Sequence, residues 1–382
     1  MNKDDIKKKI GIYSAAAVLM AIIIPVSVLA NISKQFPEVS STNVQLLSSL
    51  PSLLGIVSNL IISKQAHKIY KRYSMISCTI LYIVAGVAPY FYHSHFGFLL
   101  FSAAITGFAL GGIQNGLLAQ ICDYFEGKER TKIMGFLSLF VGLGGMTYAM
   151  VSSKLGAVVW YKAYLTYLII VPLLILQIVF LPKGILEEKP TKTNRVKVSK
   201  KVIILCCFGF VMYTCNQLFN SNISMLVVGR TLGGVSETGN VTAINTIAGM
   251  LSGVLILPFA RFFKKYSMTI TFVMQALGCL IMAISGNLLM VCVGGFLMAM
   301  SYGLFTPLGN QAASEASNAM GLAFNMALIS GISSLGAALS PYTTSVMTIP
   351  FGGNVIVLFA LGSCMMTILA IISIVLKKND LS

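Results

Sequence analysis

Twelve times in 382 residues the sequence runs through about 20 mostly apolar positions and then breaks at a short polar stretch. The runs fall near 11–33, 42–63, 74–92, 97–122, 133–155, 160–181, 202–224, 238–260, 267–286, 288–313, 321–343 and 353–376. No feature constrains the fold more. Hydrocarbon about 30 Å thick is crossed by a helix of about 20 residues, whose backbone satisfies its own hydrogen bonds. Only 10% of residues are charged and 56% are hydrophobic, whereas a soluble globular chain is roughly one quarter charged. The expected class is an all-α integral membrane protein with twelve transmembrane helices.

The formal charge of +16 fits either a nucleic-acid partner or the basic face of a membrane protein, and position decides between them. Of the 27 Lys and Arg, 23 lie before the first run, in alternate breaks after it, and at the end of the chain. The opposite side holds Lys34, Lys154, Lys162 and Arg230. That bias places both termini in the cytoplasm and calls for no nucleic acid. Lys7–Lys9, the apolar run and Val28-Leu29-Ala30 have the outline of a cleaved signal peptide, but removing them would leave an odd helix count with a mismatched charge bias. The eight cysteines lie in or at the ends of apolar runs without CxxC spacing or nearby histidines, so neither disulfides, a metal nor any cofactor is expected.

The octet KIYKRYSM, Lys68 to Met75, returns as RFFKKYSM, Arg261 to Met268, 193 positions later. Asn31-Ile32-Ser33 returns as Asn222-Ile223-Ser224 at an offset of 191, and Asp123 is matched by Glu315 at 192. Three marks in register divide the chain into a six-helix half at 1–181, a linker at 182–201 and a second half at 202–382. Pro182, Pro190 and a run of charges mark the linker.

Two parallel six-helix halves, both termini inside and a charged central linker resemble the major facilitator superfamily across essentially the whole chain. The family signature between helices 2 and 3, roughly G-x3-D-[RK]-x-G-[RK]-[RK], aligns with Ser63 to Arg72. Its bases are kept, while Ser63, His67 and Tyr70 stand for Gly, Asp and Gly. NISKQFPEVSSTNVQLLSSLPSL and CDYFEGKERTKIMG resemble a group of efflux-type permeases of Gram-positive bacteria, which implies the bacterial cytoplasmic membrane. The resemblance implies a gate at the inner ends, with Asp123 opposite Lys71 and Arg72, and Glu315 opposite Arg261, Lys264 and Lys265. The competing reading is a solvated charge cluster that only enforces orientation. Helix 5 has Gly142, Gly144 and Gly145 but lacks the Gly-Pro motif of drug/proton antiporters.

All eleven acids and all three histidines fall in breaks or at helix ends, so no ionisable group other than Tyr or Cys sits mid-membrane. A charged substrate or a midplane proton relay is therefore disfavoured. Neutral hydrogen bonding remains. Tyr213, Asn216, Gln217, Asn220 and Ser224 occupy one helical face of the seventh run. Ser27 and Asn31 in helix 1, Gln114 in helix 4, and Thr306 and Asn310 in helix 10 add to it, and in the family these helices line the central cavity. Interhelical glue is the alternative for each. Gly107-x3-Gly111, Gly112-x3-Gly116 and Gly249-x3-Gly253 are read as packing positions.

No nucleophile with a base, HExxH or GxxxxGK[ST] points to an enzyme. The expectation is a monomeric secondary transporter in the lipid bilayer, exporting a neutral or amphipathic small molecule by alternating access. An uptake facilitator for a sugar-like or nucleoside-like solute, or a non-transporting sensor or lipid-handling protein on the same scaffold, are the alternatives.

Overall fold

The computed structural model describes residues 3–65, 68–125, 127–186, 200–315, 322–348 and 354–378, and no strand occurs among them. The first span is α1 (Lys3–Val18), a 3₁₀ run (Leu19–Val28) and α2 (Leu29–Gln35). Pro25 lies inside the 3₁₀ run and lacks the N–H an α-helix would use there. Then follow α3 (Ser41–Gln65), α4 (Lys71–Phe91), α5 (Phe96–Tyr124) and α6 (Gly127–Val158). A second 3₁₀ run (Trp160–Ile169) leads into α7 (Ile170–Phe180). The chain continues with α8 (Lys200–Gly229), α9 (Val235–Phe263), α10 (Ser267–Ile284), α11 (Leu288–Glu315), α12 (Leu322–Thr348) and α13 (Val355–Lys378).

These segments reproduce the twelve expected runs. Nine stretches of the described residues are long and apolar enough to cross a membrane, and one of them, Val235–Ile284, carries both α9 and α10. The remaining two runs correspond to α6 and α12, helices of 32 and 27 residues. At the shortest break, Asn287 Oδ1 accepts the Met290 N–H at 2.9 Å, which starts α11 at Leu288, three residues after Ser285 caps α10. Residues 187–199 of the expected linker lie outside the described residues.

Contacts divide the chain into two compact units, Met1–Pro190 with Val235–Ala243, and Thr191–Gly234 with Ile244–Ser382. In the first unit α3 and α5 touch backbone to backbone: a Cβ on Gly111 would collide with Gly55, and one on Gly107 with Pro51. Gly112 and Gly116 meet Cys78 and Met75 of α4, and Ser102 Oγ donates to the Ala85 carbonyl at 2.6 Å. Those four glycines are packing positions, as expected. Tyr82 and Tyr148, with Tyr164 and Tyr167 of the second 3₁₀ run, are all nearly or fully buried and fill the interior.

In the second unit α8 packs on α12, where Thr214 Oγ1 donates to the Gly336 carbonyl at 3.0 Å and Ser340 Oγ to the Thr214 carbonyl at 3.2 Å. Gly295 lets the Phe219 ring of α8 close on α11, and Gly278 faces Gly294 and Met298 between α10 and α11. Thr269 and Ser373 hydroxyls, 2.8 Å apart, join α10 to α13. Gly249 departs from the packing expectation. Nothing lies within 4 Å of the place a Cβ would take there; the tight position of this contact is Gly303, which faces Ser252 and the Gly249 carbonyl.

Candidate functional site

Helix α8 carries the polar face, and its neighbours divide that face in two. Gln217 is buried and donates to Ser221 Oγ at 3.4 Å, one turn further along the same helix. Ser224 is fully buried as well. Tyr213, Asn216 and Asn220 are half-buried, and the two amides have no side-chain hydrogen-bond partner among the described residues. Spaced i, i+3 and i+7, the three form the uncovered edge of the stripe. The Tyr213 ring rests edge-on against Tyr302 of α11, with centroids 4.9 Å apart.

Of the other expected contributors, Thr306 lies one turn beyond Tyr302 and spends its hydroxyl on the Tyr302 carbonyl at 3.1 Å. Asn310 is helical, but its side chain lies outside the described residues. In the first unit Ser27 is buried, 3.4 Å from Ser152 Oγ, which is a packing contact between the first span and α6. Asn31 is half-buried and Gln114 exposed, neither with a side-chain partner among the described residues. Tyr302 was missed by the sequence reading. Its signal was its place four residues before Thr306, on the same face of α11.

The basic end of the first unit holds the strongest electrostatic feature. Lys71 opens α4 and Asp123 stands in the last turn of α5, so each charge sits at the unfavourable end of its own helix dipole and beside the favourable end of its neighbour's. Lys71 Nζ meets both Asp123 oxygens, at 2.9 and 3.0 Å, with the side chains only 8% and 13% exposed. The start of the linker is tied to the same place. Asp123 Oδ2 accepts the Ile185 N–H at 2.9 Å, the Tyr124 hydroxyl accepts the Gly184 N–H at 2.9 Å, and Gln120 Nε2 donates to the Pro182 carbonyl at 2.8 Å. Gly184 has φ +82° and lies against the Lys71 stem, so the position suits glycine for backbone and space alike.

Arg72 does not join the pair. Its guanidinium donates to the Ile178 carbonyl near the end of α7, and its backbone N–H to the Lys183 carbonyl at 3.2 Å. Lys9 Nζ instead pairs with Glu129 Oε1 at 2.7 Å. In the second unit Arg261, Lys264 and Lys265 are exposed. Lys264 has φ +45° in a 3₁₀ turn, and Lys265 lies 5.2 Å from the centre of the Tyr266 ring. The side chain of Glu315 lies outside the described residues.

The sequence matches the Major Facilitator Superfamily over residues 10–205 and again over 205–380. The chain belongs to that superfamily. It is a multi-pass membrane protein of the transporter type, and the double match follows its two halves. No curated protein matches the chain. Among solved structures it is similar to an auto-inhibited peptide transporter of the POT family, with TM-score 0.75 and 10% identity over 97% of this chain and 96% of that one. A POT family transporter in complex with a thioalcohol-conjugated peptide gives TM-score 0.74 and 12% identity over 98% and 96%. A bacterial homologue of the human lysosomal transporter Spinster, inward-facing and unoccupied, gives 0.67 and 12% over 96% and 94%. At such identities the likeness is one of fold.

Proposed function

We propose that this superfamily member exports a neutral or amphipathic small organic molecule from the bacterial cytoplasm by alternating access, binding it at the uncovered edge of α8. Asn216 and Asn220 carry the reading: they are two half-buried amides without a side-chain hydrogen-bond partner among the described residues, beside Tyr213, in a part of α8 that holds no charged residue. An amide in hydrocarbon needs a partner, and a solute with hydroxyl, carbonyl or amide groups supplies one while Tyr213 and Tyr302 offer aromatic surface. Gln217 and Ser224 belong to the packing of α8. The protein works as a monomer with both termini in the cytoplasm, an orientation supported by the distribution of its bases.

A thermal-shift screen of purified protein against sugars, nucleosides, bile acids, lipids and cationic drugs identifies a ligand, since a molecule bound only by the folded state raises the melting temperature. With that ligand, Asn216→Ala and Asn220→Ala weaken binding about tenfold or more, in line with roughly 1–3 kcal/mol for a lost partner, and melt near wild type. Gln217→Ala does the reverse, melting lower with affinity intact. Equal affinity in all three variants would remove the site from α8. Flux in proteoliposomes then reads direction. Single cysteines at Lys192 and Lys378 label only from the cytoplasm and one at Glu38 only from outside, in a background where Cys122, Cys207 and Cys364, the exposed native thiols, are serine.

A further inference from the structure

Helices α12 and α13 both pack on α8 but only lightly on each other. The gap between them is a groove of about 490 Å³, within the roughly 300–1,000 Å³ range of small-ligand sites. Its floor is Phe210, Thr214 and Leu218 of α8, and its walls include Thr344 and Thr348 of α12 and Met365 of α13. Threonines would ordinarily make such a lining polar. Here each hydroxyl is already spent on backbone carbonyls: Thr214 is shared between Phe210 at 2.8 Å and Gly336 of α12 at 3.0 Å, Thr344 bonds Ser340 at 2.6 Å and Thr348 bonds Thr344 at 2.9 Å. Thr343, also in the wall, bonds the Ser340 carbonyl at 3.1 Å. Methyl groups are what remain to face the groove, so the lining offers hydrocarbon contact and almost no hydrogen bonding.

A space this apolar gives ordered water no partners, and it suits an apolar occupant that makes the contacts its lining lacks. What fills it is indicated by its mouth. Tyr342 and Val346 line the groove and also belong to an exposed stripe of α12, Leu335, Leu339, Tyr342 and Val346, which recurs at i, i+4, i+7 and i+11. In a bilayer that face meets lipid tails, and the groove is continuous with it. Tyr342 has the apolar body and polar tip of residues placed where tails give way to headgroups. We infer that the groove between α8, α12 and α13 is a binding site for one acyl chain of a bilayer phospholipid, distinct from the Asn216–Asn220 edge of α8.

The wild-type chain in vesicles of phosphatidylcholine with a diazirine at mid-acyl chain tests this by irradiation and peptide mapping. The expected result is adducts on the Phe210–Leu218 stretch of α8, where Cys215 and Leu218 are 1% and 2% exposed, in addition to adducts on the outward residues Ile368 and Ile371. A diazirine carried on the headgroup should leave the floor unlabelled. Filling the groove with Leu361→Phe and Met365→Phe should lower the floor adducts severalfold relative to those on Ile368 and Ile371. Three results overturn the assignment: an unlabelled floor in wild type with Ile368 and Ile371 labelled, equal floor labelling from the headgroup probe, or cross-linking of Tyr342 or Val346 to a second copy of the chain. The first two need no variant to fold.

Discussion

Lys71 and Lys264 hold the same place in two copies of one octet and end in opposite surroundings. Lys71 is buried at the first residue of α4 and its ammonium donates to both carboxylate oxygens of Asp123, and the linker start folds over the pair. Lys264 is exposed, in a left-handed backbone conformation within a 3₁₀ turn that lets α10 follow α9 almost without interruption. The basic residues keep the orientation signal in both halves, because that signal depends on charge alone. A built ion pair depends on more: a partner at reach, and cover that removes water. The residues Leu181–Ile185 supply that cover in the first unit, through four contacts with Gln120, Asp123, Tyr124 and Arg72. The built pair of the first unit thus rests on α4, α5 and the linker start together.

The sharpest test of that contrast removes one charge from each unit. Asp123→Ala takes the carboxylate away from the covered Lys71 ammonium and releases the Ile185 N–H, which should cost about 3 kcal/mol and expose the linker to trypsin. Lys264→Ala should change stability by no more than about 0.5 kcal/mol. Melting temperature and limited proteolysis read both; equal losses would mean that the two octets play one structural role. A second pair compares helix contacts. Gly111→Ala drives a methyl into the Gly55 backbone and should cost about 1–3 kcal/mol, whereas Gly249→Ala enters open space and should stabilise α9 by about 0.5–1 kcal/mol. Thermal melting in the same detergent separates them by sign.

The smallest effects are expected where the two units are alike. The Tyr82 hydroxyl in the first unit and both side-chain polar atoms of Gln275 in the second are buried with no hydrogen-bond partner among the described residues. Tyr82→Phe and Gln275→Met remove those groups at similar volume, and each should leave stability within about 1 kcal/mol or raise it slightly. A large loss in either would reveal a partner that binds there, and would make the two interiors unlike.

The interiors differ more visibly beside α6 and α12. Tyr148 of α6 and Tyr164 and Tyr167 of the second 3₁₀ run crowd the interior of the first unit, whereas the α8, α12 and α13 region of the second keeps a groove. Repetition of a helix order thus preserved the arrangement of spans and left the filling of each half free to diverge.

The membrane class, the twelve spans and the twofold plan are all legible in the order of residues. Each follows from local quantities: the length of an apolar run against the thickness of hydrocarbon, and the alternation of bases between breaks. The same order also sets out the polar stripe of α8, because a period of 3.6 residues is a local property. Which edge of that stripe is covered depends on the packed neighbours, which bury Gln217 and leave Asn216 and Asn220 half open. The same holds for Lys71 against Lys264, for Gly111 against Gly249, and for the groove whose threonines turn their hydroxyls inward. In each case identical or similar residues acquire different roles through a neighbour distant in the chain, and burial, pairing and cavity shape are set by that neighbour, which local pattern does not encode.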